Sequence, residues 1–169
     1  EYRAVAHGIK ARVHEMLGEI DEAIEQLSIC ISLEPEEAVY YNQRAQFYYE
    51  QQQYDLADKD YERLIELDKG DAMGYMGIGR NAVAEGRYDD AIKQFDYVVK
   101  MHSDYSEGYS FRAEAYMKKG EYSKAAEDIV TALEIDGNNK AFFLLSEMAD
   151  SAKMVMEAKL KAKSLKDKS

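Results

Sequence analysis

The sequence predicts an all-α protein of stacked antiparallel helix pairs, and three observations carry that prediction. One phrase recurs at a fixed interval: "MLGEIDEAIEQL" (Met16–Leu27), "EQQQYDLADKDY" (Glu50–Tyr61), "AEGRYDDAIKQF" (Ala84–Phe95) and "KKGEYSKAAEDI" (Lys118–Ile129), each 34 residues after the last. Between these joints the apolar residues return at helical spacing, with almost no β-branched alternation. Small and bulky residues also alternate at fixed places within the period, as two helices packed closely against each other require.

Set in register, the blocks begin at Ala4, Ala38, Ala72, Ser106 and Lys140, which gives units 4–37, 38–71, 72–105 and 106–139 within one domain, 1–169. Each of the four holds two helical segments parted by a polar turn; in the third they run about Ala72–Glu85 and Tyr88–Met101. The first segments carry Ala11, Ala45, Gly79 and Ala113 at block position 8. The second segments carry Ala23, Ala57, Ala91 and Ala125 at position 20. A larger group at either place would overpack the helix contact, at a cost of about 1–3 kcal/mol. Bulky partners surround them: Tyr41, Tyr75 and Tyr109 at position 4, then Leu27, Tyr61, Phe95 and Ile129 at position 24. The blocks are separated by the breakers "LEPEE", "DKGD", "HSDY" and "DGNN", which supply the expected N-caps.

The fifth block departs from the rule. Glu147 stands where a small residue belongs and Lys159 where the second-helix alanine would be, and no glycine joint appears near Met154. Residues 140–163 therefore read as one long helix whose first half caps the stack, with Phe143, Leu144, Met148, Val155 and Leu160 on a helical period, followed by a flexible tail over 164–169.

A 34-residue unit with a large aromatic at 4, a small residue at 8, an aromatic at 11, alanine at 20, a bulky residue at 24 and proline at 32 resembles the tetratricopeptide repeat, or TPR. The resemblance covers about Ala4 to Asn139 as four repeats plus the capping helix. Tryptophan is absent, His7 replaces the aromatic of position 4, and only Pro35 keeps the proline of position 32. The resemblance implies a right-handed superhelix whose first helices line a concave groove that grips an extended peptide or a partner helix. Its groove-facing positions are Val5, Gly8, Arg12, Glu15 and Met16 in the first block. Among the later ones the candidate binding residues are Asn42, Gln46, Tyr49, Met73, Met76, Arg80, Val83 and Glu114, joined by Phe111. Asn42 and Gln46 present amides to a peptide backbone, the methionines adaptable apolar surface, and Arg80 a fork for a carboxylate.

The resemblance also offers a sharper function, the two-carboxylate clamp with which chaperone-binding members hold a peptide C-terminus. Its five positions read Gly8, Arg12, Gln43, Met73 and Gly77 from the first block, and Asn42, Gln46, Gly77, Glu107 and Phe111 from the second. From the third they read Met76, Arg80, Phe111, Ala141 and Leu145, so no register builds the clamp.

Composition excludes other classes. A net charge of −11 opposes nucleic-acid binding. Seven lysines against four carboxylates from Lys140 onward leave −14 on the rest of the chain. No apolar run spans a bilayer and no secretory signal opens the chain, so the default compartment is the cytoplasm and no membrane insertion is expected. The chain opens at Glu1 and closes on "KDKS", and reads as a segment of a longer protein. The single cysteine, Cys30, falls on an apolar stripe as a packed residue. His7 and His14 occupy aromatic packing slots, and His102 lies in a turn. No phosphate-loop, zinc or calcium motif appears; "GYMGIGR" (Gly74–Arg80) lies inside a helix, at packing and groove positions. The expectation is a non-catalytic scaffold without cofactor or metal that binds a protein or peptide partner. The alternative is an assembly module whose 140–163 helix contacts its own protein or makes a homodimer.

Overall fold

A computed structural model describes residues 2–137 and Leu144, and the expectations for the 140–163 helix and the 164–169 tail otherwise lie outside the described residues. Eight helices and no strand are present among them: α1 (Tyr2–Leu17), α2 (Ile20–Leu33), α3 (Ala38–Glu50), α4 (Tyr54–Leu67), α5 (Ala72–Ala84), α6 (Tyr88–Met101), α7 (Ser106–Lys119) and α8 (Tyr122–Ile135). The chain falls into two compact units, divided between Met101 and His102.

In the first unit α1 packs on α2, α3 on α4 and α5 on α6, and successive pairs join through α2–α3 and α4–α5. The small residues lie at the contacts as their spacing requires. Ala11, Ala45, Ala23, Ala57 and Ala91 are buried, and so are Leu27, Tyr61 and Phe95, which fill the space beside them. The glycines of α5 are notches for aromatic rings: a Cβ on Gly77 would run into the ring of Tyr61, and one on Gly79 into the ring of Phe95. "GYMGIGR" is thus a packing surface of a helix.

The joints share one hydrogen-bond pattern. The first or second residue after each first helix adopts a left-handed conformation: Gly18 (φ 76°), Gln52 (φ 59°) and Gly86 (φ 77°). Around Gly86 its own N–H donates to Val83 O at 3.0 Å and the Arg87 N–H to Ala82 O at 2.8 Å, satisfying carbonyls that the helix end leaves open. Around Gln52 the matching bonds run to Tyr49 O at 2.9 Å and from Gln53 to Tyr48 O at 2.8 Å. The fold enforces this geometry even where the sequence supplies no glycine. The N-cap expectation holds more narrowly. Asp71 accepts from the Met73 N–H at 2.8 Å, whereas neither Glu37 nor Tyr105 makes a side-chain cap bond.

The second unit repeats the design. Ala113 and Ala125 meet between α7 and α8, Ile129 and Ala132 fill in beside them, and Leu144 packs on the same cluster. Gly120 (φ 84°) makes the joint.

Two buried ion pairs add a longer period. Arg44 Nε and Nη2 reach Asp60 Oδ2 and Oδ1 at 2.8 and 2.7 Å, while Nη1 donates to the Ser28 hydroxyl at 2.9 Å. In the second unit Arg112 grips Asp128 in the same bidentate way, at 2.8 and 2.6 Å. Asp60 keeps Arg44 protonated more firmly than a free guanidinium, against the opposing effect of burial. Tyrosine hydroxyls at position 4 close the block boundaries: Tyr41 donates to Pro35 O at 3.0 Å and Tyr109 to Ser103 O at 3.3 Å. A carbonyl is what position 32 must supply there, and serine supplies it as well as proline.

Two substitutions test this packing. Gly77→Ala should destabilise the chain, because overpacking a buried ring costs about 1–3 kcal/mol and exceeds the roughly 1 kcal/mol that alanine adds to a helix. Gln52→Gly should do the opposite, raising stability by about 0.5–1 kcal/mol by relieving the left-handed strain. Thermal melts of the two variants should move in opposite directions from the parent.

Candidate functional site

The first helices of the first unit leave a cleft between α1 and α3. It encloses about 490 Å³ and is floored by Val5, Ile9, Val39 and Phe47. Arg12 and Glu15 of α1 and Gln43 and Gln46 of α3 supply its polar rim. Position determines this division. Residues three and four apart share a helix face, so Val5, Gly8, Arg12 and Glu15 rise along one side of α1, while Val39, Gln43 and Gln46 follow α3. Gly8 keeps the helices open to a side chain: the nearest atom to a Cβ built there, a Tyr40 ring carbon, stands 3.8 Å away.

Of the nine candidate binding residues, Gln46 lines this cleft. Asn42 sits half-buried on α3 with its amide oxygen enclosed and without a hydrogen-bond partner. Tyr49 is drawn into an aromatic cluster: the Arg80 guanidinium lies 4.9 Å above its ring, and Tyr54 meets it edge-on at 5.7 Å. Such a cation–aromatic contact contributes about 0.5–2 kcal/mol. Arg80 is therefore already engaged, joining α3 to α5, where the sequence suggests a fork awaiting a carboxylate. Its charge also pulls against the burial that raises the pKa of Tyr61. Met73 is 42% exposed, but Met76 is only 5% exposed and belongs to the core rather than to the open face expected of it. The expectation counted only its repeat position, and neighbours close over that place. Val83 is half-buried on α5. Phe111 and Glu114 are half-buried on α7 of the second unit.

Sequence reasoning underweighted the first helix pair. Val5, Arg12 and Glu15 stood among the groove positions, but Ile9, Tyr40, Gln43 and Phe47 did not, although their spacing places them at the rim and floor. The histidines are packed and bonded: His7 Nδ1 lies 2.7 Å from Gln26 Oε1, and His14 Nδ1 lies 2.7 Å from Glu19 Oε2. Cys30 is fully buried with its thiol directed at Ala4 O, 3.3 Å away, and burial pushes its pKa up. Among the described residues no group of three or more His, Cys, Asp or Glu side chains could hold a metal ion. No described helix is long and apolar enough to cross a membrane.

Two family models described as tetratricopeptide repeat match the chain, one over residues 38–71 and the other over 76–140. The chain belongs to the tetratricopeptide repeat family. Hsc70-interacting protein 1 of Drosophila melanogaster is 29% identical over 128 residues, covering 76% of this chain and 34% of that protein. The chain thus spans about a third of that relative's length. Two solved structures share the fold. MamA from Desulfovibrio magneticus RS-1 superposes with a TM-score of 0.74 at 18% identity, covering 99% of this chain and 97% of that one. The first TPR of Spaghetti (RPAP3), bound to the HSP90 peptide SRMEEVD, superposes with a TM-score of 0.62 at 20% identity, covering 69% and 93%.

Between α4 and α5, Asn81 is fully buried and donates to Asp58 Oδ1 at 2.6 Å. Burial raises the Asp58 pKa above its ordinary value of 3.8, with the Asn81 bond and the Arg87 charge pulling against it. The proton then binds more tightly in the folded chain. Its stabilising contribution is present below the ordinary aspartate range and is lost as pH rises through the folded value. Asp58→Asn keeps the acceptor for Asn81 and removes the charge. Its stability relative to the parent should rise as pH climbs through the ordinary aspartate range and level off once Asp58 is ionised in the folded chain, as read by urea unfolding.

Proposed function

We propose that this TPR segment is a non-catalytic interaction scaffold that holds an extended peptide of a protein partner in the α1–α3 cleft. The observation that carries the reading is the composition of the cleft: an apolar floor with amides and both signs of charge at the rim. A volume near 490 Å³ lies within the ~300–1,000 Å³ typical of ligand sites and accommodates a few peptide side chains. Val5, Ile9, Val39 and Phe47 would receive an apolar side chain, and the Gln43 and Gln46 amides would pair with its backbone. Arg12 and Glu15 would fix its direction by meeting opposite charges on either side. Asn42, Tyr49, Met73 and Arg80 would extend the contact along α3 and α5, and Phe111, Glu114 and Val83 occupy the matching positions of their own helices.

The names of the relatives mention Hsc70 and an HSP90 peptide. The carboxylate-clamp residues are missing in every register of this chain, so the proposed peptide is gripped through its side chains and backbone rather than through its C-terminal carboxylate.

Peptides selected from a displayed random library on the immobilised chain should bind an Arg12→Ala/Gln43→Ala/Gln46→Ala variant at least about tenfold more weakly, since truncating a few central contacts typically costs more than 1 kcal/mol each. Peptides held equally well by both would remove the cleft from consideration.

A further inference from the structure

The third block holds two tyrosines at a place where the second and fourth hold one. Position 4 of the first helix carries Tyr41, Tyr75 and Tyr109 in these blocks, and position 26 of the second helix carries Arg63, Tyr97 and Thr131. In the second block Arg63 hydrogen-bonds to the Tyr41 hydroxyl. In the third, Tyr75 of α5 meets a second phenol instead, Tyr97 of α6, and the two rings stack with centroids 4.1 Å apart and planes inclined by 29°. Their hydroxyls lie on the same side of the stack. Tyr97 donates to Lys69 O at 3.1 Å, taking the position-32 carbonyl that Tyr41 and Tyr109 hold in their own blocks, and Tyr75 bonds to Tyr97. Burial and then that bond raise the Tyr75 pKa, so Tyr75 keeps its proton at neutral pH. Two rings stacked with their hydroxyls together also set the carbons ortho to those hydroxyls face to face.

We propose that Tyr75 and Tyr97 form an oxidative modification site, at which a one-electron oxidant joins the two rings into an intramolecular dityrosine that bridges α5 and α6. Each phenol gives up one electron and its hydroxyl proton. The unpaired electron of each tyrosyl radical spreads onto the ortho carbons, and the two radicals pair there to form one C–C bond. Each joined carbon then passes its hydrogen to the oxygen of its own ring, which restores both phenols. With hydrogen peroxide turned over by a haem peroxidase as the oxidant, two tyrosines and one peroxide give one dityrosine and two waters. Composition directs the oxidation to phenols: the chain has 14 tyrosines and no tryptophan, and Cys30, its one thiol, is fully buried. Geometry directs the coupling to this pair. Tyr49 and Tyr54 meet edge-on at 5.7 Å, which sets a ring edge against a ring face and brings no two ortho carbons face to face. Both Tyr75 and Tyr97 are half-buried, so the stack stays within reach of solvent and has an open side into which the rings can turn about the new bond. The bridge closes a loop between residues 22 apart and restricts the unfolded chain as a disulfide does, stapling the third helix pair. Neither tyrosine lines the α1–α3 cleft, so the site is independent of peptide binding there.

The test uses the full 169-residue chain carrying Tyr2→Phe, because Tyr2 is 90% exposed and would couple between copies. The dilute chain is treated with a haem peroxidase and limiting hydrogen peroxide. Dityrosine fluorescence should appear in the monomer fraction. A protease digest should contain a cross-linked species joining the peptides of Tyr75 and Tyr97, two hydrogens lighter than their sum. Tyr75→Phe and Tyr97→Phe each keep a ring in the stack, should leave the circular dichroism unchanged, and should each abolish the monomer fluorescence. Tyr41→Phe removes the equivalent hydroxyl of the second block and should leave the yield unchanged. Coupling mainly between copies, or a dominant cross-link between other tyrosines, overturns the proposal. So does fluorescence that persists at the parental level in either phenylalanine variant of the pair, or a chain that yields no dityrosine once the peroxide is consumed.

Discussion

The close approach of two helix backbones at positions 8 and 20 is the constraint on which the rest of this structure depends. Alanine or glycine at both places brings the helices of a pair together and leaves no room for anything larger, so bulk must be placed beside the contact. Leu27, Tyr61, Phe95 and Ile129 occupy that neighbouring space and are all buried. Leu27 and Tyr61 reach past their own pair, Leu27 to Phe47 of α3. Tyr61 belongs to α4 and packs with Tyr41 and Ala45 of α3, yet it also fills the hollow over Gly77 of α5. One side chain thereby fixes both the pair and its stacking on the next pair. The outer faces of the first helices follow from this arrangement, because with the small residues turned inward the remaining positions must form clefts or stripes.

Much of this was legible in the sequence because it repeats. A 34-residue register exposes the small and bulky positions directly, and the helix ends predicted for the third block agree with the structure to within a residue. The binding surface was less legible, since groove positions are free to vary and a single chain gives them no pattern. Met76 illustrates the limit: its register marks it as groove-facing, but the environment that encloses it comes from contacts made in three dimensions. Arg80 illustrates another. Its charge was readable, whereas its seat on the Tyr49 ring depends on two helices from different blocks. The ion pairs were readable but hidden in a longer interval. Arg44 and Asp60 recur as Arg112 and Asp128 at 68 residues, twice the basic period, with Lys10 and Gln26 in the first block and Ile78 and Gln94 in the third at the same places.

The alternation of those pairs matters for how the fold is held. In the second and fourth blocks a carboxylate and a guanidinium are removed from water and compensated by two hydrogen bonds, an arrangement that adds little net stability but heavily penalises loss of either partner. The first block instead sets His7 against Gln26, with no carboxylate in the contact. Apolar burial supplies the drive in every pair, and the polar contacts decide how strictly each pair keeps its geometry.

Cys30 has a consequence for observing the chain at work. Its sulfur is sealed between α1 and α2 with the Ala4 carbonyl beside it, and it is the chain's one cysteine. A thiol reagent therefore reaches it only when the first helix lifts away. The rate of its modification is a clock for opening of the α1–α2 pair, set by local motion rather than by unfolding of the whole. A ligand that clasps α1 would slow the clock without touching the sulfur.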